Sequence, residues 1–120
     1  MDTVTIFCGE KSRYFQFGTA LSTTTTASSA AIYKEKVYAS FQAIAGGTGA
    51  IGATIVIEVS NEDATGQGLN SNWITYGTIT LSGTTNVTDG FTTASAWRFV
   101  RARVSAISGT GTTVQVLMGI

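Results

Sequence analysis

Few side chains in this sequence are of the types that catalyse reactions. The 120 residues contain no histidine and one cysteine, Cys8. Because histidine is the commonest general base and metal ligand, neither a Ser–His nor a Cys–His nucleophile pair can be assembled. A single cysteine forms no intrachain disulfide and no cysteine-based zinc site, and we interpret Cys8 as a small buried apolar residue. The sequence therefore predicts a protein that is not an enzyme and that uses no metal or cofactor.

The densest group of acidic residues is Glu58, Glu62 and Asp63. A calcium loop needs alternating oxygen ligands that end in a bidentate glutamate, and this spacing does not supply them. We therefore interpret the group as a solvated loop end. Nothing in the sequence places Glu58 at the separation of about 5–10 Å from Asp89 that paired carboxylates need for glycoside hydrolysis.

Arginine and aromatic residues alternate near residue 100, as they do on some nucleic-acid-binding surfaces. Arg98, Arg101 and Arg103 lie beside Trp97 and Phe99. However, the seven basic and seven acidic residues of the chain cancel to a net charge of zero. Binding to nucleic acid or to an anionic membrane surface needs an excess of positive charge, so we expect neither partner. We expect the arginines to pair with carboxylates, within the domain or across a subunit contact.

Large aromatic residues on predicted strands offer a second kind of surface, because aromatic rings can stack on sugars. Trp73, Tyr76, Phe91 and Trp97 are the candidates. On strands such residues more often anchor a core or an interface, and we favour that interpretation. Together, the candidate interface or ligand-stacking residues are Trp73, Tyr76, Trp97, Arg98, Arg101 and Arg103.

Alternation of apolar and polar residues at every second position predicts the strands that carry these side chains. We expect two sets of residues to face the core, Ala53, Ile55, Ile57 and Val59 in the first and Val100, Ala102 and Val104 in the second. We interpret the glycine-rich residues 46–52 as a flexible loop, the polar residues 83–89 as a connection and residues 108–111 as a hairpin turn. The pattern predicts an all-β protein, an antiparallel β-sandwich or jelly roll of about six to eight short strands.

The N-terminal segment differs in composition from the rest of the chain. Residues 21–31 form a Ser/Thr/Ala tract with few bulky apolar groups. We divide the chain into residues 1–31, with short strands and an extended arm, and residues 32–120, which form the β domain. Because the tract contributes little to the core of its own subunit, we expect the arm to contact mainly a neighbouring subunit. Exchange of a short N-terminal strand between subunits would close a homo-oligomer, with a trimer favoured.

Four short motifs follow one another in the C-terminal half, namely WITYGTITLSG at 73–83, DGF at 89–91, AWRFVRA at 96–102 and SGTG at 108–111. This series resembles that of small β-sandwich structural proteins of tailed bacteriophages. In that family a W-x-x-x-G-x-I-T-x-S-G, D-G-F and A-P-W-x-Y-V-R-A series precedes a glycine-rich hairpin. This sequence departs from it at Ser95-Ala96, where Ala-Pro is common, and at Phe99, where Tyr is common.

The resemblance implies a virion component, and the composition agrees with a protein that assembles. Only 12% of the residues are charged, so a free monomer is expected to be prone to self-association. We expect a non-enzymatic capsid decoration or cement protein that bridges subunits of the major capsid protein or another virion protein. The alternative is a tail- or fibre-associated module that binds a carbohydrate receptor. No secretory signal or membrane span is visible, so we expect synthesis in the host cytoplasm and a final location in the virion.

Overall fold

The described part of the chain is all-β. The computed structural model describes residues 14–22, 26–29, 31–33, 37–61 and 72–119, with only the backbone of residues 14–22. The six strands are β1 (Tyr14–Ser22), β2 (Ala27–Ser28), β3 (Ile32–Tyr33), β4 (Tyr38–Ser60), β5 (Ile74–Ala94) and β6 (Phe99–Gly119). The described residues contain no helix that is long and apolar enough to cross a membrane. Cys8, Glu62 and Asp63 lie outside them.

The strands form one antiparallel sheet in which β6 is central. The order across the sheet is β1-β6-β4-β5, and β4 pairs with both β6 and β5 along nearly its whole length. The short strands β2 and β3 also pair with β6. β4 pairs with one edge of β6. The strands β1, β2 and β3 therefore lie one after another along the other edge of β6.

Three of the strands are much longer than the sequence predicts, with 23 residues in β4 and 21 each in β5 and β6. Residues 46–52 and 83–89 belong to β4 and β5, so their interpretation as loop and connection is wrong. The interpretation of residues 108–111 as a hairpin turn is also wrong. β6 continues through them, and residues on both sides pair with β4 rather than with each other. Whether the fold is a sandwich or a jelly roll stays a prediction, because the hydrogen bonding defines a single sheet.

The glycine-rich segments mark irregularities at one level of the three long strands. The β4–β6 register shifts between Gly46 and Gly52, and the β4–β5 register shifts between Gly46 and Ala50. In β6, Gly109 and Gly111 have φ angles of 109° and 63°, which side-chain-bearing residues rarely adopt. Thr112 is buried beside them, and its hydroxyl donates to the Ser108 carbonyl at 2.8 Å. We call this level the bend.

At the bend the sheet turns back on itself, so that the two ends of β5 meet. A straight strand of 21 residues would be about 70 Å long, whereas the longest dimension of the protein is 40 Å. Gly77 and Phe91 lie on the same strand, yet a β-carbon at Gly77 would be 2.5 Å from Cζ of Phe91. The hydroxyls of Tyr76 and Thr93 are 2.7 Å apart. We call the place where these strand ends meet the open end.

The faces that the turned sheet encloses form a single hydrophobic core. Both sets of predicted core residues are buried, with Ile57 and Val100 fully inaccessible to solvent, so this prediction is confirmed. The core joins residues from both sides of the bend, as shown by Phe41, Ile55, Val104 and Val116 in one cluster.

The N-terminal segment pairs with its own chain. β1 runs along residues 113–119 of β6, and β2 pairs with Arg103 and Val104. The expectation that residues 1–31 contact mainly a neighbour is therefore wrong for the described part of that segment. The reason is that the second edge of β6 carries backbone N–H and C=O groups that need hydrogen-bond partners. A strand can supply these partners without bulky side chains. β3 continues the same row across the proposed boundary at residue 32.

An aspartate at position 57 is expected to unfold the protein. Ile57 has no exposed surface, and the Ile57→Asp variant buries a carboxylate without a partner, which costs several kcal/mol, a large part of a small domain's stability. Thermal unfolding measures it, with Ser40→Asp on the exposed face of the same strand as the control. A normally melting Ile57→Asp protein would contradict the assignment of the core face.

The contact between Gly77 and Phe91 gives a direct test of the turned sheet. Gly77→Ala is expected to destabilise the protein by about 1–3 kcal/mol, because the methyl group displaces a packed ring. In a Phe91→Leu background the same change is expected to cost less, with a coupling free energy above about 0.5 kcal/mol in a urea double-mutant cycle. Strictly additive effects would show that these two residues do not touch.

Candidate interaction surface

The outer face of the sheet carries a carboxylate held by two arginines. Glu58 on β4 lies opposite Arg101 on β6, and Arg103 lies opposite Val56, two residues away. Their side chains point away from the core because their neighbours Ile57 and Ala102 point into it. Arg101 Nε donates to Glu58 Oε1 at 2.7 Å, and Arg103 Nε donates to Oε2 at 3.1 Å.

The residues Glu58, Arg101 and Arg103 form what we call the Glu58 cluster. It explains how an acidic residue is buried on a strand. Glu58 is 7% exposed, and its loss of hydration is offset by hydrogen bonds from two cations. The interpretation of Glu58 as part of a solvated loop end is therefore wrong, since nothing in the local sequence showed which strand would lie beside it. The expectation that the arginines pair with carboxylates is confirmed for Arg101 and Arg103.

Trp73 covers the Glu58 cluster from one side. The guanidinium carbon of Arg101 lies 4.5 Å from the centroid of the indole ring, within the range of a cation–π contact. The indole Nε1 is enclosed, and it has no hydrogen-bond partner among the described residues. One face of this ring is thus occupied by the arginine of its own chain.

Two of the predicted stacking residues lie against the core instead. Tyr76 packs edge-on against Phe41 and Phe91, with ring centroids 6.3 and 6.4 Å away, and its hydroxyl bonds to Thr93. Trp97 is half-buried and packs against the same core cluster. The preference for core anchors over a sugar-stacking surface is therefore confirmed for these residues.

Arg98 lies apart from the Glu58 cluster, at the open end. Its guanidinium is 5.2 Å from the centroid of the Phe99 ring, and the Phe99 and Tyr33 ring centroids are 5.7 Å apart. The backbone N–H of Arg98 donates to the side-chain oxygen of Asn61 at 2.8 Å. Arg98 therefore extends a row of aromatic rings with a positive charge.

The exposed large apolar side chains in the described part of the chain also lie at the open end. Tyr33 is 57% exposed, Val37 47%, Tyr38 72% and Ile74 52%. They lie at or beside the ends of their strands, where β3 meets the start of β6 and where β4 and β5 begin. The open-end surface is defined by these four residues together with Arg98 and Phe99.

Sequence reasoning did not identify Tyr33 and Tyr38 as members of this surface. The only local signal is that each lies within two residues of the charged residues 34–36, next to which a large aromatic ring rarely enters a core. Ile74 gives no such signal, because it begins an alternating segment. The surface becomes apparent only when the bend brings the strand ends together.

Comparison of the chain with protein-family models, with curated proteins and with solved structures finds no match. Among the described residues, no group of three or more Cys, Asp or Glu side chains is arranged to hold a metal ion.

Removal of the Glu58 charge is expected to destabilise the protein without changing its fold. In the Glu58→Gln variant the two arginines lose the negative charge that they share, and the amide NH₂ cannot accept from the second arginine, at a cost of about 1–3 kcal/mol. Chemical denaturation measures the change. Arg98→Gln is the matched control, because Arg98 contacts no carboxylate in the described structure, and it is expected to stay within about 0.5 kcal/mol of the parent. An equal effect of both changes would contradict the role of the Glu58 cluster.

Proposed function

We propose that this protein is a non-catalytic structural protein that docks on a larger protein scaffold, as a capsid decoration or cement protein does in a virion. The observation that carries the proposal is the open-end surface. Scattered single hydrophobic residues are normal on a protein surface, whereas a concentration of them at one end of the molecule indicates an interaction site.

The composition of the surface indicates the chemistry of its partner. Tyr33 and Tyr38 are five positions apart in the chain, so they lie within about 18 Å of each other. Aromatic residues and arginine are enriched at the centres of protein interfaces, where lysine and glutamate are depleted. The partner surface is therefore apolar, with a carboxylate placed to receive Arg98.

The architecture suits a protein that strengthens an assembly mechanically. Three long strands share one ladder from the open end to the bend, and such a hydrogen-bonded sheet resists extension along its strands. Docking through the open end leaves the bend pointing outwards. Each docked copy then stabilises the assembled scaffold by its binding free energy, because it binds the assembled state and not the separated subunits.

The alternative, a carbohydrate-binding module of a tail or fibre, receives less support. It needs aromatic rings with open faces, whereas Tyr76 and Trp97 pack against the core and Arg101 covers Trp73. The exposed ring of Tyr33 lies beside Phe99, which favours a protein partner over a hydrated sugar.

Polar residues at the open end are expected to abolish docking while leaving the fold intact. The double variant Tyr33→Ser/Tyr38→Ser is expected to melt normally, since both rings are more than half exposed. It is expected to lose cosedimentation with capsids from which the protein has been stripped. Thr84→Ser/Thr110→Ser, at the bend, is the control that keeps binding.

The copy number in the particle provides an independent check. A cement protein is present in numbers comparable to those of the capsid subunits, which quantitative mass spectrometry of purified particles measures. A few copies per particle, or full binding of the Tyr33→Ser/Tyr38→Ser variant, would overturn the proposal.

A further inference from the structure

The outer edge of β5 is a free edge in the described part of the protein. β5 lies at the end of the sheet and pairs there with β4 alone. An edge strand presents a row of backbone N–H and C=O groups to which another strand can pair. Proteins that stay monomeric protect such edges with lysine, proline, bulges or a covering element.

One segment of this edge has none of the side-chain or backbone protections. Residues 77–84 pair with β4 in unbroken register, between a register shift beside Tyr76 and another beside Thr85, which has a φ of 58°. The segment, GTITLSGT, contains no charged residue and no proline. Asp89 is the single charged residue of β5 and lies beyond the second shift.

We propose that residues 77–83 pair antiparallel with the same residues of a second copy of this chain, which forms a two-fold symmetric dimer with a continuous sheet. The uncharged segment is compatible with itself, because no like charges meet when two copies approach. An antiparallel pair of seven residues forms about six to eight backbone hydrogen bonds, within the range found in a typical specific interface.

The two faces of the sheet restrict the register of this pairing. Thr78, Thr80, Ser82 and Thr84 are exposed on the outer face, whereas Ile79 and Leu81 are buried on the inner face. Outer residues must lie opposite outer residues, or every side chain of the second copy would be inverted. A two-fold axis through Thr80 satisfies this condition.

That axis also pairs side chains of matching chemistry. It places Ile79 opposite Leu81 of the second copy and Thr78 opposite Ser82 of the second copy. Cross-strand pairs of apolar residues and of hydroxyl residues both stabilise a sheet. The inference does not depend on the proposed function, since it concerns an edge that the open-end surface does not use.

A charge placed on the axis tests whether the edge forms the dimer. The parent protein is expected to sediment as a dimer in analytical ultracentrifugation, and Thr80→Lys is expected to be a monomer because two lysines meet at the axis. The control Thr113→Lys makes the same change at an exposed position of the central strand β6 and is expected to stay dimeric. A monomeric or trimeric parent, or a dimeric Thr80→Lys variant, would overturn the proposal.

Single cysteines in a Cys8→Ser background test the register. Directly opposite residues have Cα atoms about 4.5–5.5 Å apart, which a disulfide can bridge. Thr80→Cys is therefore expected to form an intermolecular disulfide on oxidation. Thr78→Cys alone is not, because its two copies are offset by four residues, about 13 Å. A mixture of Thr78→Cys and Ser82→Cys chains is expected to cross-link as a heterodimer. Efficient cross-linking of Thr78→Cys with itself would contradict this register.

Discussion

The structure depends on the reversal of three long strands at one level. An antiparallel sheet of β4, β5 and β6 has an apolar face, but a flat sheet of this size has nothing to cover that face. By bending at the same level in all three strands, the sheet covers its own face, and residues such as Phe41 and Ile55 from opposite sides of the bend enter one core. Burial of that apolar surface is the main favourable term in folding, so the bend is a condition of stability and not a local irregularity.

The alternation of apolar and polar residues predicts much of this fold, but it does not predict that the three long strands continue through their glycine-rich segments. The inward-facing residues of β4 and β6 follow from period-2 patterning, which depends only on the geometry of a strand. Glycine-rich residues predict a break in that geometry, but a loop, a turn and a bulge share the same composition. Residues 108–111 illustrate this limit. Their glycines adopt the positive φ angles expected of a turn, yet β6 stays paired antiparallel with β4 on both sides of them.

The outer face shows a similar limit for the candidate site. The sequence indicates that Arg101 and Arg103 share a face and need a carboxylate, but not which carboxylate. Glu58 is separated from them by the whole of β5, and only the register of β4 on β6 makes it their partner. The aromatic residues show the same limit, because only the bend determines that Tyr76 and Trp97 pack against the core while Tyr33 and Tyr38 stay exposed at the open end.

The central position of β6 has a consequence for how the chain acquires its structure during synthesis. β1, β2 and β3 all pair with β6, and β6 follows every other strand in the sequence. On the ribosome, the β4–β5 hairpin can form while these earlier strands still lack their partner. Contacts between such distant parts of a chain form slowly. The emerging polypeptide therefore exposes unpaired strands until β6 is translated, which makes chaperone binding or a low rate of production an advantage for this topology.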